Sequence, residues 1–236
     1  LFFMAAFLSI TLILVLILLK DKLSTTKKDT KFSEVFSKNK NINYLSLGRV
    51  FLFGARDTWL VVGLPIFLYS ILSDGSIESN HNAFFVIGTF MAGWTVFYGF
   101  VQSITPKLVS NKNSTRKQIE FWASALTVIP LFLIPLNFYT QDFLLHITIF
   151  VLFVFGFVFA INSSIHSFLI LKFTDKNRVT LDVGFYYMSN AFGRLMGTLL
   201  SGLSYQYGGF SACVLVAAIL LFINRISIKK LDLNNL

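Results

Sequence analysis

The sequence predicts an all-α membrane protein of about seven spans, from three observations. The chain is 55% hydrophobic and only 13% charged, with a mean hydropathy of +0.71, whereas soluble domains run near 25% charged. Its apolar residues gather into runs long enough for bilayer-crossing helices, which need ~20 of them. Its basic residues fall into alternate connectors. Twenty-eight Phe and four Pro among 236 residues leave too little polar surface to cover a water-soluble globule.

The first span, 1–19 (LFFMAAFLSITLILVLILL), is followed by its basic residues, Lys20 and Lys22. A signal peptide places them before the apolar run and ends in small residues. The chain is therefore expected to be cut from a larger protein, with 1–19 the last helix of a preceding half. Residues 20–48 are basic and rich in Ser, Thr and Asn, which reads as a cytoplasmic central linker; structureless stretches beyond about 12–15 residues are usually linkers or functional segments. Six spans follow at 49–72, 83–105, 119–138, 143–171, 181–204 and 209–224, forming a six-helix half over 49–224, and 225–236 is a cytoplasmic tail. One helix, a linker and six helices is the layout expected of the second half of a twelve-helix secondary transporter.

The charges support the count. Of twenty Lys and Arg, eight lie in 20–49, four in 106–117, three in 172–180 and three in the tail. None lies in 73–82, 139–142 or 205–209, where Asp74, Glu78 and Asp142 supply the charges. Lys and Arg of short loops stay on the cytoplasmic side, so the tail is expected inside. The net charge of +9 is thus a topology signal. A nucleic-acid footprint would need a continuous basic patch, and here the charge is divided among four connectors. The lone Cys213 allows no disulfide within one chain.

Three charged residues stand well inside the spans: Arg56, Asp57 and Arg194. Such a charge costs about 2.5–3.5 kcal/mol even on lenient insertion scales, so it faces a cavity or a partner. Arg194 lies ~20 Å deep at the helical rise per residue. Asn190, Gly197 and Ser201 share its stripe, which is therefore expected to face inward. Gly193, Gly197 and Gly202 are small residues that let helices approach closely. Arg56 and Asp57 point about 100° apart on a helix. Asp57 is the expected counter-ion of Arg194, leaving Arg56 for an anionic solute. The competing reading is a structural ion pair that locks two helices. Gly63 and Pro65 interrupt the same helix, as in broken helices that line transport sites. His166, with Asn162 one turn before it, is a candidate for proton coupling or an ordinary interface residue. Tyr186, Tyr187 and Asn190 are candidate hydrogen-bonding groups for a substrate. Enzyme motifs such as H-E-x-x-H, G-x-S-x-G and the Walker pattern are absent. His81, His146 and His166 are scattered along the chain, so neither a metal site nor a cofactor is expected.

Two segments, FGARDTWLVVGLPIFLYS (53–70) and DVGFYYMSNAFGRLMGTLLSGLSYQYGG (182–209), resemble the C-terminal half of the ArsJ-type organoarsenical efflux permeases of bacterial arsenic-resistance operons, a group within the major facilitator superfamily. They cover 46 of 236 residues. The basic–acidic loop signature of that superfamily is degenerate here, where 98–107 read YGFVQSITPK, and Phe192 stands at an expected small position. The resemblance implies a major facilitator fold in the bacterial cytoplasmic membrane. It also implies export of an arsenate ester of phosphoglycerate, formed when glyceraldehyde-3-phosphate dehydrogenase uses arsenate, which links the two proteins functionally. On that reading Arg56, Arg194, Asn190 and Tyr187 hold a small anion, for which forked guanidinium donors are suited. Another organic anion, a sugar phosphate or a drug is the alternative cargo. A membrane-embedded protein that transports nothing is the alternative class.

Overall fold

The computed structural model describes residues 2–18, 37–108, 115–138, 141–176 and 178–233. Most of the expected linker, 20–36 of 20–48, lies outside them. The chain divides into two units, Leu1–Glu34 and Val35–Leu236. Among its described residues the first holds one helix, α1 (Phe2–Leu18), with no buried residue. Its two hydroxyl residues bond their own helix, Ser9 to the Ala5 carbonyl and Thr11 to that of Leu8.

The second unit contains only helices among its described residues: α2 (Lys40–Leu60), α3 (Gly63–Leu72), α4 (Ile77–Leu108), α5 (Thr115–Val128) running into a 3₁₀ segment (Ile129–Phe138), α6 (Gln141–Phe173) and α7 (Val179–Lys229). Counting α2 and α3 as one, five helices are long and apolar enough to cross a membrane. The protein is a multi-pass helical membrane protein. α7 is itself two arms, because Gly208 and Gly209 leave helical geometry between them. Gly209 has φ +62°, a left-handed conformation that side chains with a Cβ resist. The broken α7 accounts for the last two expected spans.

Prolines and glycines explain the other irregularities. Pro65 has no amide hydrogen and crowds the preceding turn, and the chain breaks at Val61–Val62. The amides of Val62 and Gly63, released from the helix ladder, both donate to Ser201 Oγ at 3.2 and 3.1 Å. Pro130 and Pro135 lie where α5 tightens into its 3₁₀ segment. α2 starts at Lys40, capped by the Asn39 side chain, which accepts from the Asn41 amide. The linker expected to end at 48 thus gives way to helix about two turns earlier. At the other end, α7 runs on to Lys229 with Ile228 and Leu231 buried, so the expected tail from 225 begins as packed helix.

α2 is the central element, buried on most sides by α6 and both arms of α7. Gly193 and Gly197 let α7 press backbone against backbone. A Cβ at Gly193 would stand 2.3 Å from the Val50 carbonyl oxygen, and one at Gly197 2.4 Å from that of Gly54. Residue numbers rise together across this contact, so α2 and the first arm of α7 run parallel. Gly202 meets nothing within 4 Å, and the close packing does not extend to it. Aromatic packing fills the rest: Trp59 edge-on to Phe155 (4.9 Å) and Phe67 stacked on Phe210 (4.4 Å). Trp94 donates from Nε1 to the Leu152 carbonyl (2.9 Å), an approach that needs Gly156 beneath the indole. α4 instead leaves Phe84, Phe85, Val96 and Phe100 exposed.

The basic helix ends meet at one end of the bundle. Asn39 Nδ2 donates to the Phe173 carbonyl, Arg116 Nη2 to the Lys229 carbonyl, and Asn41 and Asp232 exchange two hydrogen bonds. The turn at 73–76 lacks Lys and Arg. There the Ser76 amide donates to Asp74 Oδ1 and holds that carboxyl below the usual carboxylate range.

Candidate functional site

The intramembrane charges gather between α2 and α7. The Asp57 carboxylate, 3% exposed, takes two arginines, one on each oxygen. Arg56 reaches Oδ1 through Nε and Nη2, both at 2.7 Å, and Arg194 reaches Oδ2 through Nε at 3.1 Å. Adjacent side chains diverge on a helix, yet the long arginine folds back onto its neighbour. Arg56 is therefore not left free, as the sequence reading expected, but shares Asp57 with Arg194.

Arg194 is the open member of this trio. Its side chain is 59% exposed, against 15% for Arg56. The stripe expected to face inward as one therefore splits. Gly197 and Ser201 are buried against α2 and α3, Asn190 is half-buried, and Arg194 and Tyr187 are exposed. The geometry is a carboxylate anchor shared by one enclosed arginine and one largely exposed arginine.

A fourth charged residue belongs here and was read from the sequence as a connector charge. Arg49 is 4% exposed. Its Nε donates to Asn190 Oδ1 (3.2 Å), and its Nη1 donates to both the carbonyl and the Oγ of Ser163 (3.2 and 3.1 Å). The guanidinium carbon lies 4.0 Å from the Phe53 ring centroid and 4.9 Å from that of Tyr186. Arg56 stands over the same Phe53 ring at 4.6 Å. The one available signal was spacing: Arg49 and Arg56 are seven residues apart, which places them on one face. It was hidden by a span boundary set at 49.

Other expected residues lie elsewhere. His166 is 1% exposed, beside Gly48 and Asn224, and neither ring nitrogen has a hydrogen-bond partner among the described residues. Its neighbour in the stripe, Asn162, donates to the carbonyls of Trp122 and Val158, fastening α6 to α5. Asp182, near the start of α7, is 2% exposed and accepts from Thr174 Oγ1.

No protein-family model, no curated protein and no solved structure matches this chain.

Proposed function

We propose that this chain is part of a secondary carrier that moves a small organic anion across the bacterial cytoplasmic membrane. The observation that carries the reading is the Asp57 bridge: one carboxylate shared by two guanidiniums, one of them held open. A lone ion pair would be neutral. Here a positive charge is left over within an apolar bundle, and that excess favours a negatively charged ligand. Arg194, with Tyr187 and Asn190 on the same arm of α7, would meet it first, and Arg56 would hold the anchor in place.

The resemblance at 53–70 and 182–209 narrows the cargo to an organoarsenical, the arsenate ester of phosphoglycerate. Its major facilitator layout supports rocking of two six-helix halves about a midplane site. Alternation of the basic connectors supports a tail on the cytoplasmic side. Arsenate-resistance complementation by the gene encoding this chain tests the proposal, with and without co-expressed glyceraldehyde-3-phosphate dehydrogenase. Resistance that requires the dehydrogenase is the expected result. Resistance to no arsenical would remove the cargo assignment, and failure of the protein to move any organic anion in vesicles would remove the carrier.

The engagement of both arginines by Asp57 also favours a second reading, a clamp between α2 and α7 without a ligand. The two separate on Arg194→Ala: a clamp loses folded protein, whereas a binding site loses transport.

A further inference from the structure

We infer that Arg49 forms a second anion subsite, about two helical turns along α2 from the Asp57 bridge, and that the ligand carries an anionic group at each end. The inference rests on the anion-carrier reading above and deepens it.

Arg49 is a charge without a counter-charge. Among the described residues no carboxylate pairs with it, although its side chain is almost wholly enclosed. Uncompensated buried charge is strongly unfavourable. Three hydrogen bonds and two aromatic faces solvate the guanidinium here without neutralising it. Nε and Nη1 are used, and no hydrogen bond within the described residues involves Nη2. Donors converge on the same place. Ser163 Oγ accepts from both Arg49 Nη1 and Gln102 Nε2, each at 3.1 Å. Its own proton therefore still needs an acceptor, and the described residues offer none. Asn190 turns its oxygen to Arg49, which leaves its amide hydrogens free to donate. An acceptor-only, negatively charged group satisfies this set of donors.

The two centres are coupled in space. Arg49 pairs with Asn190 on α7, and one turn further along the same arm Arg194 pairs with Asp57. The Arg49 and Arg56 guanidinium carbons lie 4.0 and 4.6 Å from one Phe53 ring centroid. The Arg49 centre thus adjoins the Asp57 bridge at one aromatic side chain, Phe53, and a short carbon chain with an anionic group at each end would reach from one to the other. The electrostatic count agrees. Three guanidiniums against one carboxylate leave two positive charges.

The test compares binding of 3-phosphoglycerate, anionic at both ends, with inorganic phosphate, on the purified full-length protein in nanodiscs. The wild type should bind phosphoglycerate at least tenfold more tightly. Arg49→Gln should remove that preference, weakening phosphoglycerate about tenfold more than phosphate, and Gln102→Leu should reduce it. Arg194→Gln should weaken both ligands. Should Arg49→Gln accumulate poorly, Arg49→Lys, which keeps the charge and loses the fork, should lower the preference in part. Equal binding of both ligands by wild type overturns the subsite and leaves the carrier standing. So does an equal loss of both in Arg49→Gln or, in its place, Arg49→Lys. Absence of any anion binding by folded wild type overturns both.

Discussion

Asp57 concentrates the electrostatics of the bundle in two oxygen atoms. Replacing it with Asn would leave Arg56 and Arg194 facing each other across a neutral amide. Removing one partner of a buried ion pair typically costs about 3–5 kcal/mol, so Asp57→Asn should sharply lower the yield of monodisperse protein in detergent. Adding Arg56→Gln to that variant should recover part of the loss, because the enclosed one of the two stranded charges is gone. Arg194→Ala alone should behave differently. Its head group is mostly outside the packed interior, so folded yield should stay near wild type while resistance or transport falls at least tenfold, about 1.4 kcal/mol or more. The residue scale is also where sequence reading was least complete. Asp57 and Arg194 were legible as a pair because a charge inside lipid demands a partner. Arg49 was not, because a hydropathy boundary cannot distinguish a helix end in water from a helix continuing through protein.

Helix pairing depends on residues with almost no side chain. Gly193 and Gly197 place α7 on the carbonyls of Val50 and Gly54, and even one methyl at either site would push the helices apart. Overpacking typically costs about 1–3 kcal/mol. Gly193→Ala and Gly197→Ala should each lower the melting temperature in detergent, and Gly202→Ala, which meets nothing, should leave it unchanged. Ser201 acts at the next level along the same pair. Its hydroxyl receives two amides freed by the break before Pro65. Ser201→Ala would strand both, and a buried unsatisfied donor costs about 1–3 kcal/mol. Ser201→Ala is therefore expected to reduce thermal stability by more than Ser201→Thr, provided the added methyl finds space. Sequence periodicity exposed the small-residue stripe, but not which of its members touch α2. That choice depends on the rotation of one helix about its axis.

For the whole molecule, the arrangement of helix ends makes a topological prediction. Single cysteines introduced at Lys107, Lys172 and Lys230, in a Cys213→Ser background, should all be labelled by an impermeant maleimide from the same side of the membrane. One at Gly75 should be labelled from the other side. Mixed labelling of the three basic positions would contradict the alternation. The contacts joining the starts of α2 and α5 to the ends of α6 and α7 make the same statement structurally.

Composition and charge order determined the class of this protein, because lipid admits only segments that satisfy their own backbone, and long apolar runs punctuated by basic connectors are that condition written in one dimension. The helix breaks were equally legible, since Pro65 and the Gly208–Gly209 pair act through their own covalent geometry. Beyond the Asp57–Arg194 pair, tertiary structure alone decided how the charges are placed. Arg56 turning back onto Asp57, Arg194 standing open and Arg49 being enclosed between α6 and α7 all follow from how helices rotate and how deeply they pack. Those quantities are set by the sum of contacts among elements distant in sequence, and no local pattern encodes them.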